Sequence, residues 1–140
     1  MLTADTTAPR AAPRPAAAAS ERPLAELADI QAAMTVLEGQ LQPTPLLHHP
    51  TLDARLGCEV FVKLENAQDV GSCKIRGAMN LLARLAADER SRGLVTATRG
   101  NHGHAIAFAA RRHGVCCTVF VPRGISPEKH AAITAQGVVL

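Results

Sequence analysis

The sequence predicts an α/β fold, a three-layer parallel sheet with helices on both faces, and three observations carry that expectation. Short β-prone apolar runs at 60–64, 94–97 and 115–121 alternate with stretches of helical periodicity. The stretches between them are long enough for crossovers, which parallel pairing requires. Gly, Pro and Ser-Pro punctuation falls between the runs rather than inside them. Ligands of such sheets collect at the carboxyl ends of strands, so the loops 66–73 and 98–101 are where function is expected.

Taken in order, residues 1–22 are rich in Ala, Pro, Thr and Arg, with Pro9, Pro13 and Pro15 opposing a helix and nothing bulky to bury. They form a disordered tail, and one α/β unit occupies 23–140. Asp5 and the proline density argue against an amphipathic targeting helix. Pro23 suits a first helical turn, and Leu24, Leu27, Ile30, Met34 and Leu37 recur at helical spacing up to Gly39. A Pro-rich connection through Pro43, Pro45 and Pro50, with His48 and His49 in a loop, leads to a short helical turn capped by Gly57. Helices are expected over 74–87 and 102–113, with Asp88, Glu89 and Arg90 as a solvated turn between the first of them and the strand at 94–97. Ser126, Pro127 and Glu128 read as N-cap, first-turn proline and first-turn acid of a further helix. The run 138–140 is strand-like and an unusual place for a parallel sheet to finish, so the sheet is expected to be incomplete.

Composition narrows the function. Of a net charge of +3 over 140 residues, Arg10, Arg14 and Arg22 lie in the tail, which leaves the remainder near balance. With three Phe and no Trp or Tyr, aromatic platforms for single-stranded bases are missing, so nucleic acid is not an expected partner. No apolar run approaches a membrane span. Cys58, Cys73, Cys116 and Cys117 form no disulfide framework, which favours a reducing cytoplasm. Cys116 and Cys117 should point to opposite faces of a strand, each as a small buried apolar residue. The histidines form no ligand set, so no metal is expected: His102 and His104 diverge on a helix.

Two segments carry chemistry. In 71–78, Gly71-Ser72-Cys73-Lys74-Ile75-Arg76-Gly77-Ala78, a lysine sits at a helix start beside unpaired amides and the positive end of the dipole. With partial burial, those neighbours favour the neutral amine that attacks an aldehyde. An ordinary solvated lysine fits the same local pattern. In 98–103, Thr98-Arg99-Gly100-Asn101-His102-Gly103, glycines allow close backbone approach and a helix start attracts anions such as a carboxylate. A tight turn with Asn101 as N-cap, or a Gly-x-x-Gly backbone clamp for RNA, are the other readings.

Together with Thr44-Pro45-Leu46 and Lys63-Leu64-Glu65-Asn66, these segments stand in the order and spacing of fold-type II pyridoxal-phosphate enzymes. From 41 to 140 the chain resembles the serine/threonine dehydratases, with their tryptophan synthase β-like fold, as an N-terminal fragment. The resemblance implies pyridoxal 5'-phosphate as cofactor and Lys74 as its Schiff-base lysine and α-proton base. It implies that Asn101 binds the phenolic oxygen, that Cys73 lies against the ring, and that Thr98, Arg99, Gly100, Asn101 and His102 hold the substrate carboxylate. Dehydration and deamination of threonine or serine to an α-keto acid and ammonia follows, with a homo-oligomer where the complete enzyme is made. Two departures stand out. Cys73 replaces the usual Phe, and Arg99 occupies the position of the serine that serves as second-face acid in serine racemase, which disfavours racemisation. The family's glycine-rich phosphate loop is not in this chain, so an inactive fragment is the alternative.

Overall fold

The computed structural model describes residues 24–140. The expectations of a disordered tail over 1–22 and of a helix-starting role for Pro23 lie outside the described residues. Eleven elements follow: α1 (Leu27–Leu37), β1 (Leu46–His48), α2 (Pro50–Leu56), β2 (Phe61–Lys63), a 3-10 turn (Glu65–Ala67), α3 (Lys74–Arg84), α4 (Ala87–Arg92), β3 (Leu94–Ala97), α5 (Asn101–His113), β4 (Cys117–Phe120) and α6 (Pro127–Thr134).

β3 and β4 pair in parallel, Leu94 opposite Cys117 through Ala97 opposite Phe120, with α5 as the crossover. Val139 adds the beginning of a third parallel strand beside Thr118: Val119 N donates to its carbonyl at 2.8 Å, and its own N–H reaches Cys117 O at 3.1 Å. β1 and β2 depart from the expected parallel pairing. They are antiparallel, Leu46 opposite Lys63, and the described residues form two separate two-stranded sheets. A helix as short as α2 turns the chain back on itself, and Asp53 locks that corner by accepting from Val60 N at 2.7 Å and meeting His48 Nε2 at 2.6 Å. His48 therefore belongs to β1 rather than to a loop. Gly57 caps α2 in the left-handed region at φ 70°, as its position predicts.

The core forms where α3 and α5 pack, the most extensive helix pair of the chain. Ile75, Met79 and Leu82 are fully enclosed with Val119 and Ile133, each contributing about 1.5–3 kcal/mol of burial. On α5 the inward residues are Ala105, Ala107, Ala109 and Ala110, small enough for the helix backbones to approach closely. Asp88, Glu89 and Arg90 are not a free turn but part of α4, whose start is capped by Glu89 Oε2 accepting from Ala86 N at 2.8 Å.

Arg90 has a structural role that local pattern did not reveal. Its guanidinium donates to the carbonyls of Leu82, Ala83 and Leu85 at the end of α3. Its charge also reaches His113 at the end of α5 and, after the larger effect of burial, helps hold that imidazole below its ordinary range.

One sheet face packs on α5. The other carries Val95, Phe120 and Val139, which are 73%, 61% and 66% exposed. Among the described residues, then, the second helical layer of the expected three-layer arrangement is missing. α1 behaves alike: only Leu37 and the following Leu41 reach the core, while Leu27, Ile30 and Met34 stay exposed because α1 meets α3 alone.

Cys117 is buried under α5 and burial pushes its thiol up, whereas Cys116 is exposed, so the opposite-faces expectation stands and the burial of Cys116 does not. The four thiols should divide under iodoacetamide: Cys58, Cys73 and Cys116 alkylate readily in the native chain, and Cys117 reacts at least about tenfold more slowly until urea is added. Peptide mass spectrometry over a time course reads this, and equal rates would contradict the described packing.

Candidate active site

Lys74 is the first residue of α3, preceded by Cys73 at the N-cap with no side chain capping the helix. The apolar stripe of α3 points Ile75, Ala78, Met79 and Leu82 inward and leaves Lys74 at the edge of that stripe, exposed. The partial burial expected for it is therefore not supplied by the described residues. Cys73 is exposed beside it, and Ser72 is buried with its Oγ lacking any hydrogen-bond partner. An unpaired buried hydroxyl at a helix start costs about 1–3 kcal/mol, which makes this short loop strained in its polar contacts unless a ligand group joins it.

The position of α3 is set by a network that sequence reasoning quoted as motif but assigned no role. Arg76, two residues after Lys74, forks onto Glu65, with Nε on Oε2 at 2.9 Å and Nη2 on Oε1 at 2.8 Å. Thr44 Oγ1 donates to the same carboxylate at 2.6 Å, and Lys63 Nζ donates to the Thr44 carbonyl at 2.6 Å. Hydrogen bonds from Arg76 and then Thr44 pull the Glu65 carboxyl down to about 2. Thr44-Pro45-Leu46, Lys63-Leu64-Glu65-Asn66 and Arg76 are thus one clamp joining the loop before β1, the end of β2 and the first turn of α3. The signal that could have revealed it was a Lys-x-Glu and an Arg in otherwise apolar surroundings.

The second segment lies at the carboxyl end of β3. Thr98 Oγ1 accepts from Gly100 N and Gly103 N, both at 3.0 Å, and so takes the capping role assigned to Asn101. Gly100 is the N-cap and Asn101 the first, exposed residue of α5. A threonine two residues before the cap wins because its hydroxyl reaches the free amides across a glycine, where no side chain intervenes. The 98–103 segment is consequently a helix start rather than an open Gly-x-x-Gly loop, with Gly103 buried. The amides of Arg99, Asn101 and His102 make no hydrogen bond among the described residues. The His102 ring turns back to Thr96 Oγ1 at 3.0 Å, so only its backbone faces the loop mouth. His104 turns to Gln136 instead, and burial lowers its pKa. No group of three metal-ligating side chains occurs among the described residues. Arg99 is exposed at the same mouth, beside a cleft lined by Pro122, Ile125, Ser126 and Lys129.

Lys74 opens α3 and the Thr98–His102 loop opens α5, and these two helices pack on each other.

Comparison with known proteins identifies the family. The sequence profile of the family described as "Pyridoxal-phosphate dependent enzyme" matches residues 37–140. The biosynthetic L-threonine dehydratase of Corynebacterium glutamicum is 37% identical over 123 residues, covering 88% of this chain and 28% of that protein. The L-threonine ammonia-lyase of Thermotoga maritima is 41% identical over 97 residues, covering 69% of this chain and 24% of that protein. The crystal structure of serine racemase from Dictyostelium discoideum superposes with a TM-score of 0.74 at 38% identity, over 80% of this chain and 37% of that one. The chain thus spans about a quarter to a third of the length of the curated relatives it matches. A profile match over most of the chain and a shared fold lead to one assignment: the chain belongs to the pyridoxal-phosphate-dependent enzymes.

Proposed function

We propose that these residues supply the lysine-bearing half of the active site of an ammonia-lyase acting on threonine or serine, the whole protein releasing an α-keto acid and ammonia. The observation that carries this reading is that Lys74 opens α3 and the Thr98–His102 loop opens α5, two helices packed on each other.

The residues present fit the cofactor. Ser72 Oγ is unpaired and buried, α3 starts without a side-chain cap, the Lys74 amine is exposed, and three loop amides are open. Unsatisfied polar groups around a primary amine suit an aldehyde that carries anionic oxygens. Lys74 would hold it covalently and Asn101 by a side-chain hydrogen bond, with Cys73 offering the ring less contact area than an aromatic residue. When bound, pyridoxal phosphate supplies the electron sink that makes an amino acid α-carbon acidic at neutral pH. Lys74 Nζ is the base at that carbon. The amides of Arg99, Asn101 and His102 orient the substrate carboxylate. Water lost with the β-hydroxyl is regained in the hydrolysis that frees ammonia and the α-keto acid.

Racemisation is less well supported, because a guanidinium at Arg99 is a poor proton donor to a second face. The exposed sheet face at Val95, Phe120 and Val139 favours a different second reading, in which this chain by itself is catalytically silent and needs further polypeptide over that face. A free hydroxy amino acid as partner, a homo-oligomer of the whole protein and a cytoplasmic setting, consistent with four unpaired thiols, complete the proposal. Among the described residues no helix is long and apolar enough to cross a membrane.

The test is reductive trapping. The chain is saturated with pyridoxal phosphate, treated with borohydride and digested; a pyridoxyl group is expected on Lys74 in preference to Lys63 and Lys129, and Lys74→Ala should remove at least about 90% of it. Labelling spread evenly over the lysines would defeat the proposal. An ammonia assay on the same sample separates an active chain from a silent one.

A further inference from the structure

The start of α3 is short of acceptors. The amides of Ser72, Cys73 and Lys74 make no hydrogen bond among the described residues, no side chain caps the helix, and its first turn holds no acid. Positive charge stands there instead. Lys74 is the first helical residue and takes part in no ion pair among the described residues, at the end where the dipole is itself positive.

Ser72 adds an observation of a different kind. It is 8% exposed and its Oγ is enclosed without a hydrogen-bond partner, while Gly71, Cys73 and Lys74 around it are exposed. A hydroxyl withdrawn from water and left unpaired destabilises the chain, so alanine would be the more stable residue at this position unless a partner comes from outside the chain. The exposed neighbours leave that partner a way in on their side of the turn.

A hydroxyl and three free amides at a positive helix end match a group with several anionic oxygens, and a phosphoryl group has that form. Pyridoxal phosphate brings one close to Lys74. Its aldehyde carbon lies between two ring substituents, the phenolic oxygen on one side and the methylene phosphate on the other. With the aldehyde at Lys74 and the phenolic oxygen at Asn101, the phosphate falls on the side away from Asn101. The amides of Arg99, Asn101 and His102 are already engaged by the α-carboxylate.

We propose that Ser72 Oγ and the amides of Ser72, Cys73 and Lys74 form a phosphoryl site, all donating to its anionic oxygens. The function proposed above gives the phosphate no residue, and this inference rests on that function for the roles of Lys74 and Asn101. Ser72 then lowers the stability of the empty chain and raises that of the loaded one.

The test uses the full 140-residue chain, with pyridoxal phosphate, pyridoxal and inorganic phosphate as separate probes. Borohydride trapping is scored as label on Lys74 relative to label on Lys63 and Lys129, which corrects for the unequal reactivity of the two aldehydes. Pyridoxal phosphate should favour Lys74 by at least about tenfold, and pyridoxal by about threefold or less. Inorganic phosphate should raise Tm and shift the amide NMR signals of Ser72, Cys73 and Lys74. Ser72→Ala should cut the preference of pyridoxal phosphate for Lys74 to about threefold or less, yet raise Tm of the empty chain by about 2–5 °C. A serine that only held the loop together would lower Tm when replaced. Equal preference with the two aldehydes, an undiminished preference in Ser72→Ala, or a lower Tm in that variant would each overturn the proposal. The two readings fail separately. No trapping at Lys74 with either aldehyde, beside phosphate shifts at 72–74, would remove the lyase reading and leave the phosphoryl site; equal trapping there with both aldehydes would do the reverse.

Discussion

Replacing Gly103 with alanine is expected to destabilise the chain by about 3 kcal/mol and to displace the Thr98–His102 loop. A Cβ at this position would lie 2.2 Å from Thr98 Cγ2, 2.9 Å from Thr98 Cβ and 3.0 Å from Val119 Cγ1. Neither neighbour can retreat cheaply. Val119 is fully buried in the sheet, and Thr98 is held by the hydrogen bonds its Oγ1 accepts from Gly100 and Gly103. Moving Thr98 aside sacrifices those bonds as well, and each contributes about 1 kcal/mol. Urea denaturation monitored by circular dichroism measures the loss. The double variant Thr98→Ser with Gly103→Ala gives a sharper check, because serine keeps the capping hydroxyl and removes the methyl at 2.2 Å. About half of the lost stability should return. A Gly103→Ala variant as stable as the parent would show that the loop is not packed as described.

Glu65→Ala should cost about 2 kcal/mol and loosen the start of α3, because it strands the Arg76 guanidinium, the Thr44 hydroxyl and the pull of both on Lys74's helix. The effect carries a pH signature. The Glu65 carboxyl lies at about 2 in the folded chain against 4.5 as its ordinary value, so the native state favours the ionised form. Its contribution is fully present above pH 4.5 and is lost as pH falls from 4.5 toward 2, since the unfolded chain takes up the proton first. Stability of the parent chain should therefore decline across that window more steeply than that of Glu65→Gln. Glutamine preserves size and one hydrogen bond but has no charge to titrate. Parallel slopes for the two proteins would indicate that the clamp is solvated and weak.

The same residues show how far the sequence could be read. β3 was legible to the residue because Leu94–Ala97 is a compact apolar run after a glycine turn. α3, α5 and α6 were legible because their apolar spacing and their flanking Gly, Ser and Pro are local signals. The antiparallel β1–β2 pair was not, since a three-residue strand such as Leu46–His48 carries no periodicity and its partner is chosen across space. α1 was legible in part. Its stripe of Leu27, Ile30 and Met34 gave the helix correctly, and the described residues leave that stripe exposed. Periodicity states which side of a helix is apolar and is silent on what covers it.

The site divided along the same line. Lys74 and the Thr98–His102 segment stood out because a nucleophile or an anion cradle at a helix start is a chemical pattern within a few residues of chain. Thr98's capture of two amides was missed because local propensity points to Asn101 as the cap. The Glu65–Arg76 fork and Lys129's position over Gly100 were missed because each joins residues 11 to 29 positions apart.

The sequence by itself determined the fold class and the family, since both rest on the order and spacing of residues along the chain. Tertiary structure alone decided that α3 and α5, the helices begun by Lys74 and by the loop, pack on each other. It also decided that Thr98 rather than Asn101 caps α5, and that the Lys129 side chain lies over Gly100. The physical reason is that hydrogen bonds and charges act over a few ångströms of space, and folding selects which distant residues come within that range.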